Sequence, residues 1–277
     1  MTVATIALFG AGGKMGFRLS QNLKGSPFAV RHVEPSEAGQ HRLKQELGLV
    51  CMAAEQALDG ADVVILAIPD TLIGQVSHRI EPLLKPGTMV ITLDAAAPFA
   101  GHLPQRSDLV YFVTHPCHPS LFEPLVHDVQ DPDYFGGRRA PQSIVSALMQ
   151  GDDALYALGE SIARVIYQPV SAAYRVTVDQ MALLEPGLSE TVCATLLDVM
   201  REAMEEVIAK GVPREAARDF LLGHMTILSA VTFGQIQGQF SDACNKAIAN
   251  GKPRLMRDDW KQVFDRAEIT DSIRRIT

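Results

Sequence analysis

The sequence has few cysteines and no tight cysteine pair. The four present, Cys51, Cys117, Cys193 and Cys244, lie far apart and form no CxxC. That spacing excludes a zinc ribbon and a disulfide framework, and it suggests reduced thiols in a cytoplasm. Basic residues do not dominate. The net charge is −7, which makes a phosphate-backbone partner a poor expectation, so no nucleic acid is expected. Long hydrophobic runs are missing too. The longest, Val63–Pro69 and the stretch around Leu221–Phe233, fall short of the ~20 residues of a membrane span, and no membrane association is expected. The N-terminal apolar run has no basic flank and reads as a first strand, not a signal peptide. There is no internal repeat and no low-complexity tract. What remains is 277 residues, 47% hydrophobic and 21% charged, the balance of one large or two ordinary globular domains.

The first part of the chain alternates short apolar runs with helical patterns. Thr5–Phe9, Ala29–Val33, Asp62–Ile68, Met89–Leu93 and Leu109–Val113 read as strands separated by amphipathic helices. Continuous apolar strands imply a sheet covered on both faces, hence a doubly wound parallel α/β domain. Pro119–Pro141 breaks the pattern and reads as a long loop of the functional kind. Ile144–Met149, Ala154–Val165 and Val165–Val170 then predict one more strand, helix and strand. After Val176 only helical patterns remain. The expected division is residues 1–175 as an α/β domain and 176–277 as an all-helical one.

Gly10-Ala11-Gly12-Gly13-Lys14-Met15-Gly16 follows the first strand and opens the first helix. Glycines there let the backbone turn tightly and approach a pyrophosphate at a helix N-terminus. Met15 stands where the strict GxGxxG form has its third glycine, while Gly10, Gly13 and Gly16 give GxxGxxG. A P-loop is excluded, because no Ser or Thr follows Lys14. Glu34 ends the second strand. An acid there accepts hydrogen bonds from a ribose 2′-OH and repels a 2′-phosphate, which favours NAD over NADP; Arg31 nearby is the opposing signal. Pro69-Asp70 and Asp94 close the next central strands, at the edge where such sheets bind ligands. Both acids could instead cap helices.

Thr114-His115-Pro-Cys117-His118-Pro119 follows the fifth strand at the same edge. His115 and His118 suit proton transfer, because imidazole titrates near neutrality, or metal ligation; both rings could equally be structural. Cys117 between them could be a nucleophile or an inert thiol. Glu185 and Glu190 flank a Pro-Gly break before an apolar helix and could act as acid and base or, with His115, hold a divalent cation such as Mg²⁺. A capping role for Glu190 is the alternative. His224 in an apolar helix, and Asp242 and Asn245 entering another, are candidate substrate contacts or, respectively, a core residue and a helix cap.

The segments Ala-Leu-Phe-Gly-Ala-Gly-Gly-Lys-Met-Gly, Thr-His-Pro-Cys-His-Pro, Leu-Glu-Pro-Gly-Leu-Ser-Glu-Thr and Phe-Ser-Asp-Ala-Cys-Asn-Lys-Ala are similar to those of D-apionate oxidoisomerases. That family sits in the superfamily of 6-phosphogluconate dehydrogenases and ketol-acid reductoisomerases, and the resemblance covers essentially the whole chain. It implies a Rossmann domain followed by an all-α domain that supplies substrate contacts and dimerisation. It further implies an NAD-dependent oxidation of a branched sugar acid with acyl migration, D-apionate to 3-oxoisoapionate, in carbohydrate catabolism. A homodimer in which helices of one chain complete the other's site is implied as well. The chain departs from the wider superfamily. Reductoisomerases carry a lysine near the position of His115 and space their acids by four residues, not five. The lysine–asparagine pair of hydroxyacid dehydrogenases is missing. A plain hydroxyacid dehydrogenase, a Cys117-dependent semialdehyde dehydrogenase and a non-catalytic NAD-binding regulator are the competing readings.

Overall fold

The computed structural model describes residues 4–277, so Met1–Val3 of the expected first strand lie outside the described residues. Seven strands make one sheet in the order β2-β1-β3-β4-β5-β6-β7. They are β1 (Thr5–Phe9), β2 (Ala29–Val33), β3 (Val63–Leu66), β4 (Met89–Thr92), β5 (Val110–Pro116), β6 (Gln142–Gln150) and β7 (Val170–Arg175). The first five are mutually parallel. Their side chains alternate between two apolar layers. Ile6, Leu8, Ile65, Ile91 and Phe112 face one, with Leu19 and Leu23 of α1 (Lys14–Leu23). Ala7, Phe9, Val64, Leu66 and Val90 face the other. Helices cover both layers, so β3 and β4 are buried throughout and their sequences show no polar alternation.

α2 (Glu37–Arg42) and α3 (Ala54–Leu58) follow β2, α4 (Asp70–Ile80) follows β3, and the short α5 (Ala96–Phe99) follows β4. Ile73 and Ile80 of α4 and Ala57 and Leu58 of α3 pack in the second layer. α6 (Tyr156–Ile166) buries Ile162, Ala163 and Ile166 in the first.

Two expectations are corrected. The sheet is not wholly parallel: β6 runs antiparallel to β5, with His115 opposite Val145 and Pro116 opposite Ile144. The connection between them is a long loop, not a helical crossover, and an antiparallel neighbour needs no crossover. The last strand is also not Val165–Val170. Val165 and Ile166 end α6, whose buried residues recur at helical spacing, and the strand is Val170–Arg175, parallel to β6. That strand, Val-Ser-Ala-Ala-Tyr-Arg, is a half-exposed sheet edge with a weak apolar signal.

The chain divides into two compact units, Met1–Glu185 with Thr270–Thr277, and Pro186–Ile269. The first unit extends past Arg175 because α7 (Val178–Ala182) packs against β6 and α5, with Met181 fully buried. Leu183–Ala194 is wound as a π-helix and runs into α8 (Thr195–Ala209). α9 (Arg214–Thr232), α10 (Asp242–Leu255) and α11 (Arg266–Ile276) follow. α9 runs on through the apolar stretch from Leu221 to Thr232, with Phe233 at its C-cap. α8 and α9 pack together within the second unit, yet α8 has no buried residue. Among the described residues no helix is long and apolar enough to cross a membrane.

Candidate active site

The turn after β1 is built for close backbone approach. Gly10 has φ +71°, and a Cβ on it would meet the Ala67 carbonyl oxygen at 2.3 Å. A Cβ on Gly16 would stand 1.9 Å from the Gly10 carbonyl oxygen, so it is Gly16, not the Met15 position, that lets α1 pack on the turn. Gly13 caps α1 without a side chain over its first amides. This is the cradle a pyrophosphate needs.

Glu34 is buried at the end of β2. Its Oε2 accepts a hydrogen bond from Gly12 N at 2.8 Å, and its Oε1 accepts from Ser36 N and Oγ at 2.9 and 2.8 Å. Glu34 and Gly10 line one cavity of about 530 Å³ with Pro35, Cys51, Ile68 and Arg79. Arg31 is committed elsewhere: its guanidinium donates to the Ala57 and Asp59 carbonyls at the end of α3. Pro69 and Asp70 stand at the N-terminus of α4, with Pro69 at the cap and Asp70 in the first turn. Lys14 at the start of α1 lies with its Nζ 4.1 Å from the Phe135 ring centre.

His115, at the end of β5, is 22% exposed at its side chain. Its Nδ1 lies 2.8 Å from the Leu93 carbonyl oxygen. A carbonyl only accepts, so Nδ1 carries the hydrogen and Nε2 is the basic nitrogen. Nε2 faces Glu185 Oε1 at 3.2 Å. Burial lowers the His115 pKa, opposed by the Leu93 hydrogen bond and the Asp94 charge. Asp94 Oδ1 accepts from the N–H of Ala96, the first residue of α5, whose N-cap is Ala95. Its carboxylate also stands beside His115 and Glu185. One ligand atom from each of the three lies within 4.8 Å of the others.

His118 has φ +60°, the one non-glycine residue in the left-handed region among the described residues. Its ring stands edge-on to His115 at 6.0 Å, and its Nδ1 lies 3.0 Å from the Phe135 carbonyl oxygen. Here too the basic position is Nε2. Cys117 sits between the two histidines, but desolvation pushes its thiol pKa up, away from the thiolate a nucleophile needs. The 119–141 loop is ordered by charge. Arg138 pairs with Asp131 at 2.9 Å and Arg139 with Asp128 at 2.9 Å, while buried Asp133 accepts from the Arg139 and Ala140 amides.

The remaining candidates belong to the second unit. Glu190 lies inside the π-helical stretch, not in a first helical turn, which removes the capping role. His224 is exposed; its ring stacks on Phe220 at 4.0 Å and bonds the Phe220 carbonyl through Nδ1. Asp242 starts α10, Ser241 caps that helix, and Asn245 Nδ2 donates to the Phe240 carbonyl.

Sequence reasoning missed Phe135. Its ring meets Lys14, Arg18 and His118, and its carbonyl fixes the His118 tautomer. An aromatic beside Gly136-Gly137 in a polar loop was the available signal.

Residues 126–277 match the family model described as phosphogluconate dehydrogenase (decarboxylating) C-term. Residues 1–102 match the acetohydroxy acid isomeroreductase NADPH-binding domain. A protein of Cupriavidus necator named D-apionate oxidoisomerase is 67% identical over 98% of this chain and 99% of its own. One of Rhizobium rhizogenes with the same name is 65% identical over all of both chains. A crystal structure of a Cupriavidus necator protein, described as a semialdehyde dehydrogenase NAD-binding protein in complex with calcium and NAD, is 66% identical. It superposes with a TM-score of 0.95 over all of both chains.

Proposed function

This chain belongs to the D-apionate oxidoisomerase family, and from that premise we propose that it oxidises D-apionate with NAD and rearranges the carbon skeleton to 3-oxoisoapionate. The observation that carries the reading is the orientation of His115. Its Nδ1–H is held by the Leu93 carbonyl, and burial favours the neutral ring, so Nε2 is poised to take a hydroxyl proton. When Nε2 gains that proton, the Glu185 carboxylate 3.2 Å away stabilises the imidazolium. His118 Nε2 is the second base at the same edge. Bound NAD supplies the hydride acceptor, and a bound divalent cation, Mg²⁺ or another, supplies the positive charge an acyl shift requires.

The NAD reading is supported by the cradle at Gly10, Gly12 and Gly16 and by the cofactor in the Cupriavidus necator structure. Residues 10–16, with Pro69, Asp70 and Asp94, are its binding residues. Although the matching N-terminal model is described as NADPH-binding, the buried Glu34 carboxylate would face a 2′-phosphate, and Arg31 is engaged at α3. The raised Cys117 pKa disfavours the semialdehyde reading, and Cys117→Ala should keep its activity.

We assign residues 1–175 to cofactor binding and 176–277 to substrate and dimer contacts. Glu190, His224, Asp242 and Asn245 are the substrate-side candidates, with Glu190 a second acid. A homodimer is supported by the apolar surface of the second unit, where Phe220 and Phe233 are 70% and 71% exposed. A cytoplasmic setting is supported by four free cysteines. The test is the product. D-apionate and NAD⁺ should yield a rearranged skeleton by ¹³C NMR, and an unrearranged keto acid at full NADH yield would overturn the isomerase step.

A further inference from the structure

A neutral His115 has its hydrogen on Nδ1, donated to Leu93 O at 2.8 Å. Its Nε2 lone pair then points at a carboxylate oxygen of Glu185, 3.2 Å away. Two lone pairs at that distance repel unless a proton or a cation lies between them. A second carboxylate converges on the same place, since an Asp94 oxygen lies within 4.8 Å of the ligand atoms of both partners.

We propose that Asp94, His115 and Glu185 form a three-ligand site for a first-row divalent cation, one atom each, with the remaining positions open to substrate oxygens; with the cation on His115 Nε2, the hydroxyl proton goes to His118 Nε2, the second base at that edge. The surroundings are those of a metal site. A ligating histidine donates its other N–H to a carbonyl, as His115 does to Leu93, and a ligating carboxylate is itself hydrogen-bonded, as Asp94 is to Ala96 N. The donor set selects the ion. Ca²⁺ and Mg²⁺ take oxygen ligands, whereas an imidazole beside two carboxylates suits Mn²⁺, Co²⁺ or Zn²⁺. Three protein ligands with open positions make a catalytic, not a structural, arrangement. Asp94 was legible only as a cofactor or capping residue. Its role here joins the end of β4 to the end of β5 and to Glu185 beyond α7.

The assignment rests on the proposed reaction only for the use of the open positions; the ligand set stands on geometry. The test is Mn²⁺ titration of the chelator-treated full chain, followed by loss of the free-ion EPR signal. One Mn²⁺ should bind per chain, and Zn²⁺ should displace it at lower concentration than Mg²⁺ does. Asp94→Asn and Glu185→Gln should each weaken Mn²⁺ by at least about tenfold, as expected for loss of a metal-site interaction. Far-UV circular dichroism and a cooperative urea transition of each variant show that it is folded. Where Asp94→Asn does not fold, His115→Gln is read instead. Mn²⁺ affinity unchanged in Asp94→Asn, or lost in Glu190→Gln but not in Asp94→Asn, overturns the ligand set, as does the absence of any Mn²⁺ site. Rearranged product formed after exhaustive chelation would sink the cation's role and leave the reaction standing. Unrearranged product from a chain with an Asp94-dependent Mn²⁺ site would do the reverse.

Discussion

The two compact units bury their apolar residues very differently. In the first, Ile6, Leu8, Ile65, Ile91 and Phe112 are at 0% exposure, and helices cover the sheet on both sides. In the second, the residues at helical spacing are equally apolar, yet Leu197, Val207, Leu222, Ile227 and Leu255 are all more than two-fifths exposed. A groove of about 610 Å³ runs between α8 and α9, lined by Met200, Met204, Val207, Phe220 and Leu228. One unit satisfies its hydrophobic pattern within a single chain. The other has the pattern and not the partner. The difference teaches that amphipathic helices state only that a face must be covered, and not by what.

The largest effect should come from the first unit. Phe112 is fully buried and its ring lies 5.6 Å from that of Tyr156. Phe112→Ala should cost about 3–5 kcal/mol in urea unfolding, whatever the protein concentration. A cost under 1 kcal/mol would break the contrast at its firmer end. Chemistry should also reside in that unit. His115→Ala should lower kcat by about 10²–10⁴-fold and leave NAD affinity nearly unchanged, and a loss below tenfold would remove His115 from the chemistry. Glu34→Ala should narrow the preference for NAD over NADP by roughly 1–3 kcal/mol, measured by calorimetry of both cofactors. A widened preference would refute the assignment.

Phe220→Ser tests the second unit. It should barely alter the helical content, yet raise the dimer dissociation constant by at least about tenfold, a 1.4 kcal/mol effect read by sedimentation. Unchanged sedimentation would mean that no second copy covers this face. The smallest effect is a pH dependence confined to the first unit. Burial lowers the His32 pKa, and its Nε2 is buried without a hydrogen-bond partner. The unfolded chain therefore binds the proton more readily, so stability should fall as pH drops below the ordinary value near 6.5. His32→Gln should flatten that slope, and an identical slope would place the acid sensitivity elsewhere.

The glycine turn was legible because its requirement is local: Gly10 and Gly16 need no knowledge of the rest of the fold beyond one strand and one helix. β3 and β4 were legible for the same reason. The direction of β6 was not, since a strand's sequence does not state its polarity against a neighbour. β7 was missed because an edge strand with Ser171 and Arg175 lacks the buried pattern that marked the others. The pairing of His115 with Glu185 was expected only as a possible shared metal. The place of Asp94 beside them depends on strand order, which brings the ends of β4 and β5 side by side. The aromatic beside Gly136-Gly137 marked Phe135, but not its role, because stacking on Lys14 and Arg18 links segments more than a hundred residues apart.

The antiparallel pairing of β5 with β6 has an evolutionary consequence. Both ends of the 117–141 loop are pinned in one ladder, at Pro116 opposite Ile144 and His115 opposite Val145. Lengthening such a loop costs closure entropy only slowly, about 0.6 kcal/mol for each doubling. A lineage can therefore rewrite residues 119–134, insert there or change their charges while His115 stays in register and His118 keeps the Phe135 carbonyl. Divergence toward other sugar acids should accumulate between two fixed posts, with the proton-transfer geometry inherited unchanged.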